Sequence, residues 1–182
     1  MLRTLCLTVA LLIAIPVTEA LSVELNDPEN TLVIELKSGK VYIEMRPDLA
    51  PDHVERIKTL AREDFYDGVV FHRVIDGFMI QTGDPTGTGT GGSDRPDLKA
   101  EFSEAPFDRG VTGMARTNDP NSANSQFFIM FEDGHFLNGQ YTVWGKVIDG
   151  MEHVDNIKKG KGQSGMVSDP DKMLDVYVAA DR

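Results

Sequence analysis

The chain has 182 residues, 41% of them hydrophobic and 26% charged, a globular balance rather than a disordered one. That length holds one domain of ordinary size with a full core. The net charge of −11 comes with no basic stripe, which excludes nucleic acid as the main partner and reads as a solubility feature.

Residues 1–20 have the pattern of a secretory signal. Arg3 gives a positive start, residues 5–17 form an uncharged apolar run, and Thr18, Glu19 and Ala20 resemble a cleavage site. The run is shorter than the roughly 20 residues a spanning helix needs. We therefore expect cleavage near Ala20, a periplasmic or secreted mature chain, and no stable membrane association. The lone cysteine, Cys6, lies inside the apolar run, so the mature chain is expected to carry no disulfide, thiol nucleophile or thiolate metal site.

Residues 21–30 read as a loosely held polar arm, and residues 31–182 as the folded domain. Residues 31–36 and 41–45 alternate as two strands joined by a turn over 37–40. Pro51 then opens a helical pattern in which Val54, Ile57, Leu60 and Ala61 form one apolar stripe. Next comes Phe71-His72-Arg73-Val74-Ile75-Asp76-Gly77-Phe78-Met79-Ile80-Gln81, which reads as strand, turn, strand. Period-two alternation puts Phe71, Arg73 and Ile75 on one face and His72 and Val74 on the other. If the two strands pair, Arg73, Met79 and Gln81 converge. His72, on the face away from Arg73, is expected to make a structural hydrogen bond.

Residues 83–93 are rich in glycine, and Gly87, Gly89 and Gly92 formally match a dinucleotide-binding GxGxxG. That motif needs a helix opening at its end, and Asp94-Arg95-Pro96 is a poor one, so a surface loop is expected. Residues 142–147 read as a strand, and Met151, Val154 and Ile157 mark a second, short helix. A polar loop over 158–165 follows, and Leu174, Val176 and Val178 alternate as a last strand. Many short strands with two helical patterns point to a closed, mainly β architecture. His53, His72, His135 and His153 lack metal-ligand spacing such as HExxH. Gly162-Gln163-Ser164-Gly165-Met166 misses the nucleophile elbow GxSxG at its last residue.

A guanidinium in an apolar segment is costly unless it has a partner or a task. From its own segment, Arg73 fits either a site residue or a surface arginine paired with Asp76 or Glu101. Phe78, Met79, Phe128 and Leu137 are each compatible with plain core, Gln81 and Gln126 with satisfying turn backbone. Trp144, in a strand block, reads as core.

Three blocks together change that balance. Residues 71–81 closely resemble the core motif of the cyclophilins, the cyclosporin-binding peptidyl-prolyl isomerases. Gly113-Met114-Ala115-Arg116 with Asn124-Ser125-Gln126-Phe127-Phe128-Ile129 resembles a second family block. Phe136-Leu137-Asn138-Gly139 with Val143-Trp144-Gly145-Lys146-Val147 resembles a third. Their order and spacing match from about Leu32 to about Val178. The resemblance implies a closed eight-stranded antiparallel barrel capped by two helices, and an isomerase that needs no cofactor or metal; we expect a monomer. Its partners would be proline-containing polypeptides.

The resemblance also implies site roles. Arg73 would donate to the prolyl nitrogen, with Gln81 pinning it. Phe78, Met79, Phe128 and Leu137 would form the proline slot. Ala115 and Arg116 would hold the residue before proline as an extended strand, and Gln126 would add a polar contact at the rim. Two departures stand out: Phe136 replaces a tryptophan common in the family, and Tyr141 a histidine. Phenylalanine keeps the apolar wall but loses an indole N–H, so activity is expected to survive and cyclosporin to bind only weakly. Arg116 replaces an asparagine frequent in eukaryotic relatives, a second cation near the substrate strand that is expected to favour acidic or carbonyl-rich partners. A competing reading is a binding module or holdase that grips proline-containing chains without accelerating their isomerisation.

Overall fold

The computed structural model describes residues 25–182. The expected signal over 1–20, with Cys6, lies outside the described residues. The expected loose arm is tied down from residue 27 onward. Asp27 caps a short 3-10 turn over Pro28–Asn30, and Glu29 reaches Lys58 and Arg62.

Eight strands follow in chain order: β1 (Thr31–Leu36), β2 (Gly39–Met45), β3 (Arg73–Ile75), β4 (Met79–Thr82), β5 (Val111–Met114), β6 (Phe127–Met130), β7 (Val143–Asp149) and β8 (Asp175–Val178). Two α-helices join them, α1 (Pro51–Arg62) and α2 (Met151–Asp155). The first hairpin is tighter than expected. Leu36 pairs with Gly39, so only Lys37 and Ser38 form the turn. Helix α1 starts at Pro51, where the missing N–H has no intrahelical acceptor, and buries Val54, Ile57, Leu60 and Ala61. Each large apolar side chain removed from water contributes about 1.5–3 kcal/mol before entropy is counted. The second helix is a five-residue stub that ends before Ile157. Leu174 lies outside the last strand and is exposed, while Val176 and Val178 point into the core.

The hydrogen-bonded strand order is β3-β4-β6-β5-β7-β2-β1-β8, antiparallel throughout. The closed barrel expected from the sequence is not formed as a continuous ladder, because β3 and β8 do not pair. The sheet is open and curled, and irregular backbone spans the gap between its ends. Phe71 N donates to Asp171 O at 2.9 Å, Gly68 N to Met173 O at 2.8 Å, and Val74 N to Gly165 O at 2.7 Å. The spanning segment contains Gly160, Gly162, Gly165 and Pro170, and Asp169 has φ of 52°. Proline removes a ladder donor and the positive φ breaks the pleat, so no regular strand forms there.

The core divides in two. A large inner cluster fills the curl, with Trp144, Tyr66, Phe127, Phe71 and the α1 stripe among its members. A smaller cluster, including Met79, Phe107, Phe128, Met130, Leu137 and Val143, lies on the other side of β4, β5 and β6. Phe71 belongs to the inner cluster rather than to the face of Arg73, because β3 begins only at Arg73. Trp144 is fully buried, as a core residue should be.

Candidate active site

The β3–β4 hairpin brings the first side chains together. Gly77, at φ 69°, makes the turn, and Phe78 N donates to Ile75 O at 3.0 Å. The register pairs Arg73 with Gln81 and Ile75 with Met79, so Arg73, Met79 and Gln81 emerge on one face. Arg73 Nη1 donates to Gln81 Oε1 at 3.1 Å, and Arg73 Nε donates to Ser164 O at 3.1 Å. Arg73 forms no ion pair among the described residues. Glu101, one of its possible partners, accepts from His53 at 2.5 Å instead. The guanidinium is thus fixed at two corners by neutral acceptors, and its charge is left uncompensated.

Gln81 is itself held. Its Nε2 donates to Gln126 Oε1 at 2.9 Å, and Gln126 Nε2 donates to Gly89 O at 3.1 Å and Gly91 O at 2.8 Å. Gln126 therefore satisfies loop backbone as well as supporting Gln81. The chain Arg73–Gln81–Gln126 ends on the glycine-rich loop, which has no helix after it.

An apolar hollow of about 310 Å³ lies beside the guanidinium. Arg73, Phe78, Met79, Gln81, Ala115, Arg116, Phe128, Phe136, Leu137 and Tyr141 line it, which is every expected site residue except Gln126. Gln126 lines an adjoining, more polar hollow instead, together with Gly89 to Ser93, Asp97 and Asn124. Phe128 forms part of the apolar wall, stacked on Phe107 at 5.6 Å and edge-on to Tyr141 at 5.7 Å. It fits because the residue opposite it in β5 is Gly113, where a Cβ would strike the Phe128 ring. Phe136 sits on a 3-10 turn at His135–Leu137. It is 66% exposed and stands 5.5 Å from Phe78, while Leu137 faces inward. The Tyr141 hydroxyl has no hydrogen-bond partner among the described residues. Its ring does the contacting, with the Arg116 guanidinium 4.5 Å above it.

The Arg73 guanidinium thus stands beside an apolar slot, and comparison with known proteins shows the family. The family model "Cyclophilin type peptidyl-prolyl cis-trans isomerase/CLD" matches residues 31–178. This chain belongs to the cyclophilin family. A probable peptidyl-prolyl cis-trans isomerase of Brucella suis is 54% identical over 96% of this chain and 95% of that protein. The human peptidyl-prolyl cis-trans isomerase-like 3 is 43% identical over 66% of this chain and 77% of its own. Among solved structures, the cyclophilin AquaCyp293 of Hirschia baltica superposes with a TM-score of 0.77 at 29% identity, covering 86% of this chain and 76% of that one. A Cryptosporidium parvum cyclophilin-type isomerase, crystallised in the presence of the dipeptide Ala-Pro, gives 0.75 at 32% identity, covering 81% and 98%.

Two contributors to this cyclophilin's site, the Ser164 carbonyl and Asp84, are not among the residues expected from the sequence. Ser164 acts through its backbone carbonyl, which any residue could supply. It is delivered by Gly165, whose φ is 70° and where a Cβ would collide with Ile75 Cγ1. Asp84 is buried beneath the glycine-rich loop. It accepts from Thr86 N and Oγ1 at 2.8 Å each, Gly89 N at 2.6 Å and Gly91 N at 3.1 Å. Burial pushes its carboxyl upward, but the bonds from Gly91, Thr86 and Gly89 outweigh that and hold it below the usual carboxylate range. The Asp-Pro-Thr-Gly start of the loop was the available signal, since aspartate favours such self-bonded turns.

Glu101 supplies the α1 N-terminus with the cap that Ala50 lacks, accepting from Asp52 N at 3.2 Å and His53 N at 3.1 Å. The expectation for His72 is not met. Its ring is buried and neither nitrogen has a hydrogen-bond partner among the described residues. The ring packs against Gly89 instead, and burial lowers its pKa, favouring the neutral form.

Proposed function

We propose that this cyclophilin accelerates cis–trans rotation about X–Pro bonds by a hydrogen bond from Arg73 to the prolyl nitrogen in the twisted state. A planar X–Pro amide resists rotation with a barrier of about 18–20 kcal/mol, and uncatalysed exchange takes tens to hundreds of seconds. When the amide twists, the nitrogen lone pair leaves conjugation and becomes a better acceptor. A donor fixed at that position strengthens only in the transition state, which is the condition for a faster chemical step. The supporting observation is the fixed guanidinium: Gln81 Oε1 and Ser164 O orient it at the edge of a hollow large enough for a proline ring. Phe78, Met79, Phe128 and Leu137 hold the ring. Ala115 and Arg116 hold the preceding residue in extended form, where backbone pairing gives register with little side-chain preference. Exchange spectroscopy by NMR on a proline peptide, with and without the protein, tests the reading. Unchanged exchange refutes it.

We further propose that the mature protein is periplasmic and acts on exported polypeptides as they fold. The support is the signal-like pattern over residues 1–20. Deleting that segment should trap the protein in the cytoplasm, and fractionation that finds it exported regardless removes the localisation. Cyclosporin should bind weakly, because Phe136 presents a bare ring at the rim of the hollow. The substitution Phe136→Trp restores an N–H donor there and should tighten binding about five- to tenfold, the value of one good hydrogen bond. Calorimetry that finds no gain rejects the missing indole as the cause.

A further inference from the structure

We propose that Arg116 makes this isomerase prefer an acidic residue immediately before the proline. The proposal rests on the isomerase reading above and names the substrate class for that same site.

The charge inventory points this way. The chain carries 29 acidic and 18 basic residues, yet the apolar hollow is lined by two arginines and no acid. Arg46, Arg62, Arg95, Arg109 and Arg182 are each neutralised by a carboxylate. Arg56 is engaged by the carbonyls of Asn124 and Pro96, away from the hollow. Arg73 and Arg116 are the two at the site, and neither forms an ion pair among the described residues.

Arg116 is also held still. Its Nε and Nη2 donate to Gln140 O at 3.3 and 2.8 Å, Nη1 donates to Thr117 O at 2.8 Å, and the plane lies over Tyr141. Carbonyls satisfy some donors and leave the charge in place. A planar fork fixed in advance loses little rotamer freedom when an anion arrives, and each Nη keeps an N–H for it.

Position selects the substrate residue. Arg116, like Gln81 and Ala115, lines both hollows, and its guanidinium stacks on Tyr141 of the apolar one and donates to the Thr117 carbonyl of the polar one, which sets its charge at the seam. With the proline ring in the apolar hollow, the residue just before it passes that seam. The polar hollow beyond contains Asp97, held by Asn124 Nδ2 at 3.0 Å, which repels a carboxylate placed deeper. A glutamate directly before the proline meets the guanidinium, and a lysine there meets a like charge. The overall charge of −11 does not cancel this, because salt screens charges beyond about 8 Å at physiological ionic strength.

The test is kcat/KM by NMR exchange on three peptides that differ only before the proline: Glu, Gln or Lys. In the wild type at about 0.15 M salt, Glu should exceed Gln by about three- to fivefold, with Lys below both, the scale of a partly exposed ion pair. The Arg116→Gln variant should bring the three substrates level, and Arg116→Lys should keep the order in weaker form. Raising salt to about 0.5 M should compress the wild-type ratios, which needs no variant. Equal ratios in wild type and Arg116→Gln, or a uniform loss on all three peptides, would overturn the proposal and leave Arg116 as a clamp between residues 117 and 140. A wild type that accelerates none of the peptides instead removes the isomerase reading itself.

Discussion

Replacing Arg73 by alanine should lower kcat/KM on a proline peptide by roughly 10²–10³, the usual loss when one preorganised transition-state donor is removed. The fall should appear in kcat with KM changed little, since the apolar hollow that holds the ring stays intact. The fold should tolerate the change. Arg73 is only partly buried, and the β3–β4 pairing is carried by backbone and by Val74 against Ile80 in the inner core. Arg73→Lys is an informative companion. A lysine keeps a positive charge but not the planar fork that donates to two fixed partners, so most of the loss should remain. Exchange NMR on both variants, with circular dichroism to match folding, makes the measurement. Equal rates in wild type and Arg73→Ala would leave only the binding module or holdase.

How much of this could be read beforehand depended on whether side chains or backbone did the work. The convergence of Arg73, Met79 and Gln81 was legible because a strand alternates with period two and a single glycine sets the turn. The α1 stripe was legible for the same kind of reason, at the helical period. The wall of the hollow came from family blocks rather than periodicity. Phe128 and Leu137 look like any core residue until Gly113 and the 3-10 turn are seen to aim them. Closure of the sheet was misjudged because the segment that would close it is bent by glycines, Pro170 and the positive φ of Asp169. The Ser164 carbonyl was illegible in principle, since a backbone oxygen leaves no trace in residue identity. His72 was misread because a buried polar ring was assumed to find a partner.

Asp84→Ala should unsettle both stability and activity, since one carboxylate organises the loop on which the Arg73–Gln81–Gln126 chain ends. Removing it strands the backbone N–H groups of Thr86, Gly89 and Gly91, and a cluster of charge-assisted bonds of this kind is worth about 3 kcal/mol or more. For a domain of this size that is a fall in Tm of about 6–12 °C. The pH dependence has a definite sign. The native carboxyl titrates below its unfolded value, so its contribution is complete above that value and is lost as pH falls through the depressed native one. The gap in stability between wild type and Asp84→Ala should therefore be constant near neutrality and shrink below about pH 4. Urea titrations at several pH values measure it. Activity should fall less than in Arg73→Ala, by about tenfold or less, because Ser164 O still holds Arg73 Nε while Gln126 loses the fixed carbonyls of Gly89 and Gly91. A destabilised variant with unchanged kcat would mean that the loop supports the fold without orienting the guanidinium.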